Sequence, residues 1–63
     1  MTKSKMCQIL DEMAKDELAG YVEYSEMAKK VKGKKRTTFM DMARDELGHL
    51  EAIERMRRDM GCD

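Results

Sequence analysis

Two apolar stripes of helical period, separated by a basic segment with a glycine, constrain this 63-residue chain more than any other feature. The first stripe runs from Met6 to Val31 and the second from Phe39 to Met60. Within each, apolar residues recur three and four positions apart, as on one face of an α-helix. Gly33 lies between them among six Lys and Arg residues. We therefore expect an all-α fold in which residues 1–63 form one domain, an antiparallel helical hairpin.

Capping residues mark the expected ends of both helices. Ser and Thr cap helix N-termini, and Gly follows helix C-termini in the left-handed conformation. The expected end residues are Ser4 and Val31 for the first helix, with Gly33 in the turn, and Thr37 or Thr38 and Met60 for the second helix, with Gly61 as its stop. Gly20, inside the first helix, fits either close helix packing or space beside a ligand.

Length and charge limit the classes of function. A chain this short buries little apolar surface alone, so we expect oligomerisation. The formal net charge is zero, and no apolar run approaches the roughly 18 residues of a membrane span. We expect a cytoplasmic protein without nucleic-acid or membrane partners. The basic turn is either solvated or a docking surface for an acidic partner, such as an electron-transfer protein.

Cys7 and Cys62 lie almost equally far from the turn, so a hairpin would bring them to its open end. A disulfide or redox pair is compatible with that geometry. The simpler interpretation is two free thiols in a reducing cytosol.

A glutamate interrupts each apolar stripe. Glu17 lies at the centre of the first, and Glu46 forms a Glu-x-x-His motif with His49 in the second. Glu17 and His49 are equally far from Gly33, so the hairpin places all three side chains at about one height. Carboxylates left alone in an apolar layer would each cost several kcal/mol, and we expect a metal ion to neutralise them. Considered alone, Glu17 is also explained as a polar residue tolerated at the flank of the apolar stripe. His49 alone is also explained as a packed or surface histidine.

Two hairpins facing each other across a two-fold axis would complete this site and cover the apolar stripes. Such a homodimer is a ferritin-like four-helix bundle with four glutamates and two histidines, the ligands of di-iron and di-manganese carboxylate proteins. Oxygen-rich ligation suits two iron ions per dimer, with manganese as an alternative and zinc as an adventitious occupant. A larger assembly built from such dimers is also compatible with the sequence.

The joint pattern resembles one half of a rubrerythrin or ferritin-like domain, which carries such a helix pair twice. The resemblance covers about residues 10–56 and rests on Glu17-x6-Tyr24, Ala28 and Phe39-x-x-x-Ala43-x-x-Glu46-x-x-His49. It implies a half-size, two-helix version of that domain.

The resemblance also implies roles for individual residues. Family residues matching Glu17, Glu46 and His49 bind iron. The tyrosine matching Tyr24 hydrogen-bonds a ligand carboxylate, and the aspartate matching Asp45 can orient a ligand histidine.

The expected function is redox chemistry at a di-iron site in the dimer interface, either oxidation of ferrous iron or reduction of oxygen or peroxide. The metal ligands are the only catalytic residues expected, and electrons would come from ferrous iron or an external donor. The chain has no Cys-x-x-Cys pairs for a rubredoxin-like centre, and Gly20 replaces an additional carboxylate of rubrerythrin's second half. The alternative is a non-catalytic helical dimerisation or assembly module with a structural metal or none.

Overall fold

The computed structural model describes residues 2–62, which form two antiparallel helices. Helix α1 spans Lys3–Lys29 and helix α2 spans Lys34–Met60, each with 27 residues. The hairpin measures 46 × 17 × 15 Å, close to the roughly 40 Å that a helix of this length spans. The predicted all-α hairpin is therefore confirmed.

The expected N-cap of α1 is wrong by two residues. Thr2 has extended backbone angles, and its Oγ1 accepts a hydrogen bond of 3.2 Å from the backbone N–H of Lys5. Ser4 lies inside the first helical turn. Both residues carry a capping hydroxyl, and the earlier one caps because helical geometry already begins at Lys3.

The turn lies earlier in the sequence than expected, because both of its boundaries are shifted toward the N-terminus. Helix α1 ends at Lys29, two residues before Val31, and α2 begins directly after Gly33. Gly33 has the expected positive φ, 65°, but serves as the N-cap of α2. Thr37 and Thr38 do not cap this helix. Their hydroxyls instead donate to backbone carbonyls one turn earlier, at 3.4 and 2.9 Å, which is ordinary behaviour inside a helix.

Arg36 fixes the turn against α1. Its Nε–H donates to the carbonyl oxygens of Ala28 and Val31, each at 3.0 Å. The Ala28 carbonyl lies in the last turn of α1, where backbone acceptors lack partners within the helix, and the Val31 carbonyl lies in the turn that follows. One of the six basic residues of this segment is therefore structural.

The predicted end of α2 at Gly61 is confirmed. Gly61 has φ 74° and ψ 31°, and its N–H donates to the carbonyl oxygen of Arg58.

The apolar contacts between the helices are concentrated toward the open end of the hairpin. Leu10, Ala14 and Ile53 are buried there, with Leu50 and Met60 packed against them. Nearer the turn only small residues, Ala28 and Ala43, are buried. The ring of Tyr24 stacks on Phe39 with centroids 6.4 Å apart. The layer that holds Glu17 and Glu46 lies between these two regions.

Cys7 and Cys62 form a disulfide that joins the beginning of α1 to the segment after α2. The interpretation as free thiols is therefore wrong, while the expectation that the hairpin brings both residues to its open end is confirmed. Free thiols are the expectation for a reducing compartment, and the proximity of the two cysteines in the hairpin outweighs it. With Arg36 at the turn, the disulfide fastens the second end of the hairpin.

The hairpin exposes more surface than a compact monomer of its mass. Its accessible area is 4913 Å², whereas a compact protein of 7.4 kDa exposes about 4,200 Å². No large side chain among the described residues is completely buried. One copy therefore provides only part of a core.

Neither described helix is long and apolar enough to cross a membrane.

Removing the disulfide should destabilise the monomeric hairpin. With 55 positions between the two cysteines, loop closure in the unfolded chain accounts for up to about 4 kcal/mol in the chain-entropy model. Urea unfolding with and without dithiothreitol should show a lower midpoint for the reduced protein. A Cys7→Ser/Cys62→Ser variant should match the reduced protein and ignore the reductant. Coincident curves for oxidised and reduced wild type would contradict this expectation.

Candidate metal centre

The three predicted ligands lie together in the layer between the helices. Helix α1 supplies Glu17, and α2 supplies Glu46 and His49 one turn apart. Nδ1 of His49 lies 3.4 Å from Oε2 of Glu17 and 3.9 Å from Oε1 of Glu46. One donor atom from each residue can be chosen so that all lie within 4.8 Å of one another. The structure thus brings together residues that are 32 positions apart in sequence, Glu17 and His49, as their equal distance from Gly33 predicts.

The cluster is closed toward the hairpin and open on its outer side. The Glu17 and Glu46 side chains are 23% and 24% exposed, whereas that of His49 is 62% exposed. Oε2 of Glu17 is itself buried and has no hydrogen-bond partner among residues 2–62. An ionised oxygen withdrawn from water without a donor is unfavourable, so this atom calls for a cation or a proton donor.

These donors fit a first-row metal ion. Two ligand atoms that each lie about 2.1 Å from one ion can be at most about 4.2 Å apart. Both distances from the imidazole nitrogen, 3.4 and 3.9 Å, meet that limit. The donor set of two carboxylates and an imidazole, without thiolate, suits iron, manganese or zinc.

The pKa of Glu46 is raised above its ordinary value. Burial of the carboxyl group is the largest cause, followed by a hydrogen bond to Glu17 and repulsion from its charge. His49 acts in the opposite direction, and Asp45 adds a smaller upward contribution. Two carboxylates that approach this closely resist simultaneous ionisation, and a bound cation would relieve that repulsion.

Tyr24 and Asp45, the two other predicted site residues, make no hydrogen bond to the ligands within the described hairpin. Tyr24 stacks on Phe39 at the neighbouring layer. Asp45 is exposed beside Glu46 and influences it only electrostatically. Their expected roles in holding ligands stay predictions.

Gly20 directly faces Glu46. A Cβ atom built on Gly20 would overlap Oε2 of Glu46 and would lie 3.0 Å from its Cδ. Of the two interpretations that the sequence left open, the structure favours space beside the site. The sequence signal was an interior glycine one turn after Glu17 on the same stripe.

Exposed methionines surround the cluster on its open side. By helical position Met13, Met27 and Met56 lie on the same face as Glu17, Glu46 and His49, and they are 43%, 38% and 45% exposed. We call this surface the metal face.

A second apolar surface lies on the opposite side of the hairpin and was missed by sequence reasoning. We call it the groove face, after a groove of about 530 Å³ lined in part by Tyr21, Met40 and Leu47. Leu18 and Val22 are half exposed on the same side of α1. The available signal was apolar residues spaced by four and seven positions outside the two main stripes, at 18 and 22 and at 40 and 47.

A helical hairpin with two glutamates and a histidine gathered between its helices defines a helical protein with a candidate metal site of carboxylate and imidazole donors. The chain belongs to the rubrerythrin family, whose family model matches residues 8–63. This match indicates a ferritin-like di-iron domain, and members of the family normally bind iron. No curated protein sequence and no solved structure gives a significant match to the chain.

The raised pKa of Glu46 predicts a pH-dependent effect of Glu46→Gln on the metal-free protein. A carboxyl group with a raised folded-state pKa contributes stability that is complete below its unfolded value, 4.5, and is lost as pH rises through the folded-state value. The variant should therefore be more stable than wild type at neutral pH, and the difference should shrink as pH falls through the folded-state pKa and disappear below 4.5.

Urea unfolding in the presence of a chelator from acid to neutral pH measures this difference. Glu51→Gln, which changes an exposed glutamate on the same helix, controls for the general loss of one negative charge. Parallel pH profiles for wild type and Glu46→Gln would contradict the expectation.

Proposed function

We propose that two copies of this chain form a ferritin-like four-helix bundle that binds two iron ions between the hairpins. Glu17, Glu46 and His49 of each copy are the proposed ligands, and residues 1–63 act as one half-domain. The proposed activity is redox chemistry in the cytoplasm, by oxidation of ferrous iron or reduction of oxygen or peroxide. Manganese is the alternative metal, and zinc an adventitious occupant.

The observation that carries this proposal is the buried Oε2 of Glu17, which accepts no hydrogen bond from the described residues. It lies 3.4 Å from His49, at a cluster whose donor atoms are spaced for a metal ion. A buried carboxylate oxygen normally has a hydrogen-bond donor or a cation. Since the chain belongs to a family that normally binds iron, a cation is the better explanation.

The open side of the cluster supports the dimer. One hairpin supplies two carboxylates and one imidazole, which is too few for two metal ions of ordinary coordination number. His49 is 62% exposed, and three methionines are exposed on the metal face. A second copy on a two-fold axis would supply the same three ligands again and cover this apolar surface.

Iron in such a site exchanges electrons with an oxidant, and the protein residues hold it in place and control access. Glu17 and Glu46 would balance its positive charge, and His49 would complete the ligand set from the outer side of each hairpin. Asp45, exposed on the same helix as His49, would orient a ligand histidine. Tyr24, which stacks on Phe39, would donate a hydrogen bond to a ligand carboxylate.

Electrons come either from ferrous iron as the substrate or from an external donor. The exposed lysines of the turn, among them Lys30, Lys32 and Lys35, form a positive surface that suits an acidic donor protein.

Anaerobic loading with ferrous iron should leave two iron ions per dimer after desalting, measured by elemental analysis. Admitting oxygen or peroxide should then oxidise the bound iron. Glu17→Ala, Glu46→Ala and His49→Ala should each weaken iron binding by at least about tenfold, since even indirect ligand supports contribute that much. Glu51→Ala, the exposed-glutamate control, should bind iron like wild type. Equal iron binding by wild type and Glu46→Ala would contradict the proposed site.

Dimerisation and iron binding should be coupled. If only the dimer binds iron, free iron at 100 times its dissociation constant should stabilise it by about 2.7 kcal/mol. Sedimentation velocity should show a larger dimer fraction with ferrous iron than with a chelator.

Two matched variants identify the interface in the same sedimentation experiment. Met13→Glu places a charge on the metal face, and Leu18→Glu places one on the groove face, at residues 43% and 50% exposed. Met13→Glu should abolish the iron-dependent dimer, whereas Leu18→Glu should retain it. The reverse result would place the interface on the groove face.

The groove face favours one second candidate, a non-catalytic helical assembly module. Its exposed apolar residues include Leu18, Val22, Met40 and Leu47, and such a patch commonly marks an interaction surface. This candidate predicts association that a chelator does not change and no oxidation of bound iron by peroxide. A structural metal would give iron-dependent stability without turnover.

A further inference from the structure

We propose that Gly20 is a positioning residue of the metal centre: the missing side chain leaves the space that the carboxylate of Glu46 needs in order to face Glu17 and His49. The inference rests on the proposed function for its metal-binding consequence. Its structural part, a coupling between residues 20 and 46, can be tested without metal.

The backbone of α1 does not require a glycine at this position. Gly20 lies in the middle of a regular helix, and the glycines with positive φ in the described chain are Gly33 and Gly61. Within a helix, glycine is a poorer residue than alanine because it leaves more conformational freedom to the unfolded chain. Backbone geometry therefore gives no reason for glycine here, and the space around it has to be considered.

The nearest atoms in that space all belong to one side chain, Glu46. An added Cβ at Gly20 would overlap Oε2 of Glu46 and would lie 3.0 Å from Cδ and 3.4 Å from Cγ. The same carboxylate places its other oxygen, Oε1, 3.9 Å from Nδ1 of His49. A methyl group at residue 20 would therefore push the carboxylate out of the position in which it faces the other donors.

The displacement should affect metal binding and spare the fold. Oε2 lies at the end of a flexible side chain that is 24% exposed, so Glu46 can rotate away without moving either helix. Its carboxylate would then leave the proposed metal position. A substitution that weakens metal binding while it retains or raises apo stability distinguishes a positioning role from a packing role.

Gly48 provides the matched control. It is also a glycine inside a regular helix, and it neighbours His49 in sequence, but a Cβ built on it meets no atom within 4 Å. Gly20→Ala and Gly48→Ala therefore make the same chemical change in the same kind of backbone. Only the first change meets a proposed ligand.

The metal-binding test titrates each protein anaerobically with ferrous iron alone. Gly20→Ala should bind iron at least about tenfold more weakly than wild type, while Gly48→Ala should bind it unchanged. Urea unfolding with a chelator should give both variants a midpoint at or above that of wild type. Iron binding by Gly20→Ala equal to wild type, or a lower apo midpoint for this variant, would overturn the positioning role.

A double-mutant cycle in the presence of a chelator tests the space itself. Gly20→Ala should raise the unfolding midpoint more in a Glu46→Ala background than in wild type, because no carboxylate then has to move. Gly48→Ala should raise it equally in both backgrounds. Additive effects at residues 20 and 46 would overturn the inference. If wild type binds no iron while this coupling is found, the proposed function fails and the spatial role of Gly20 stands.

Discussion

The close approach of two glutamate carboxylates between the helices is the constraint on which the rest of this structure depends. Glu17 and Glu46 lie in a layer that an ordinary helical hairpin would fill with apolar side chains, and burial and mutual repulsion raise the pKa of Glu46. Such an arrangement is unfavourable without a partner. Nδ1 of the neighbouring His49 lies 3.4 Å from Oε2 of Glu17. This carboxylate oxygen nevertheless accepts no hydrogen bond from the described residues. The features around this layer are best understood as its consequences.

The distribution of apolar residues follows from the same constraint. Because the central layer is polar, the larger buried side chains, Leu10 and Ile53, lie toward the open end, and only alanines are buried near the turn. A core divided in this way gives one hairpin limited stability of its own. The proposed second copy would supply apolar contacts for the metal face and further ligands for the carboxylate layer.

Much of this arrangement was predictable because it depends on spacing. The two helices, the left-handed Gly61 and the level positions of Glu17 and His49 follow from periodicity and from equal distances to Gly33. Helix starts were less predictable, since Thr2 and Ser4 carry the same capping group and local sequence does not decide between them. The disulfide was misjudged because a general argument from compartment was preferred to the geometry of a hairpin.

The space at Gly20 and the groove face could not be derived from spacing alone. Whether a glycine packs against a helix or against a carboxylate depends on side-chain rotamers across the interface, which a periodic pattern does not contain. The groove face arises from residues outside the main stripes, such as Leu18 and Met40, whose alignment depends on how the two helices are rotated about their axes. Sequence determines the height of each residue in a hairpin more directly than its rotation.

Fastening both ends of the hairpin has a consequence for the dynamics of its centre. The disulfide between Cys7 and Cys62 and the two hydrogen bonds of Arg36 hold the helices together at opposite ends of a 46 Å rod. Helices held at both ends resist splaying. The carboxylate layer lies between these two fastenings, so the scaffold around it is ordered before any ligand binds. Less conformational entropy would then be lost if its donor atoms closed around a ligand.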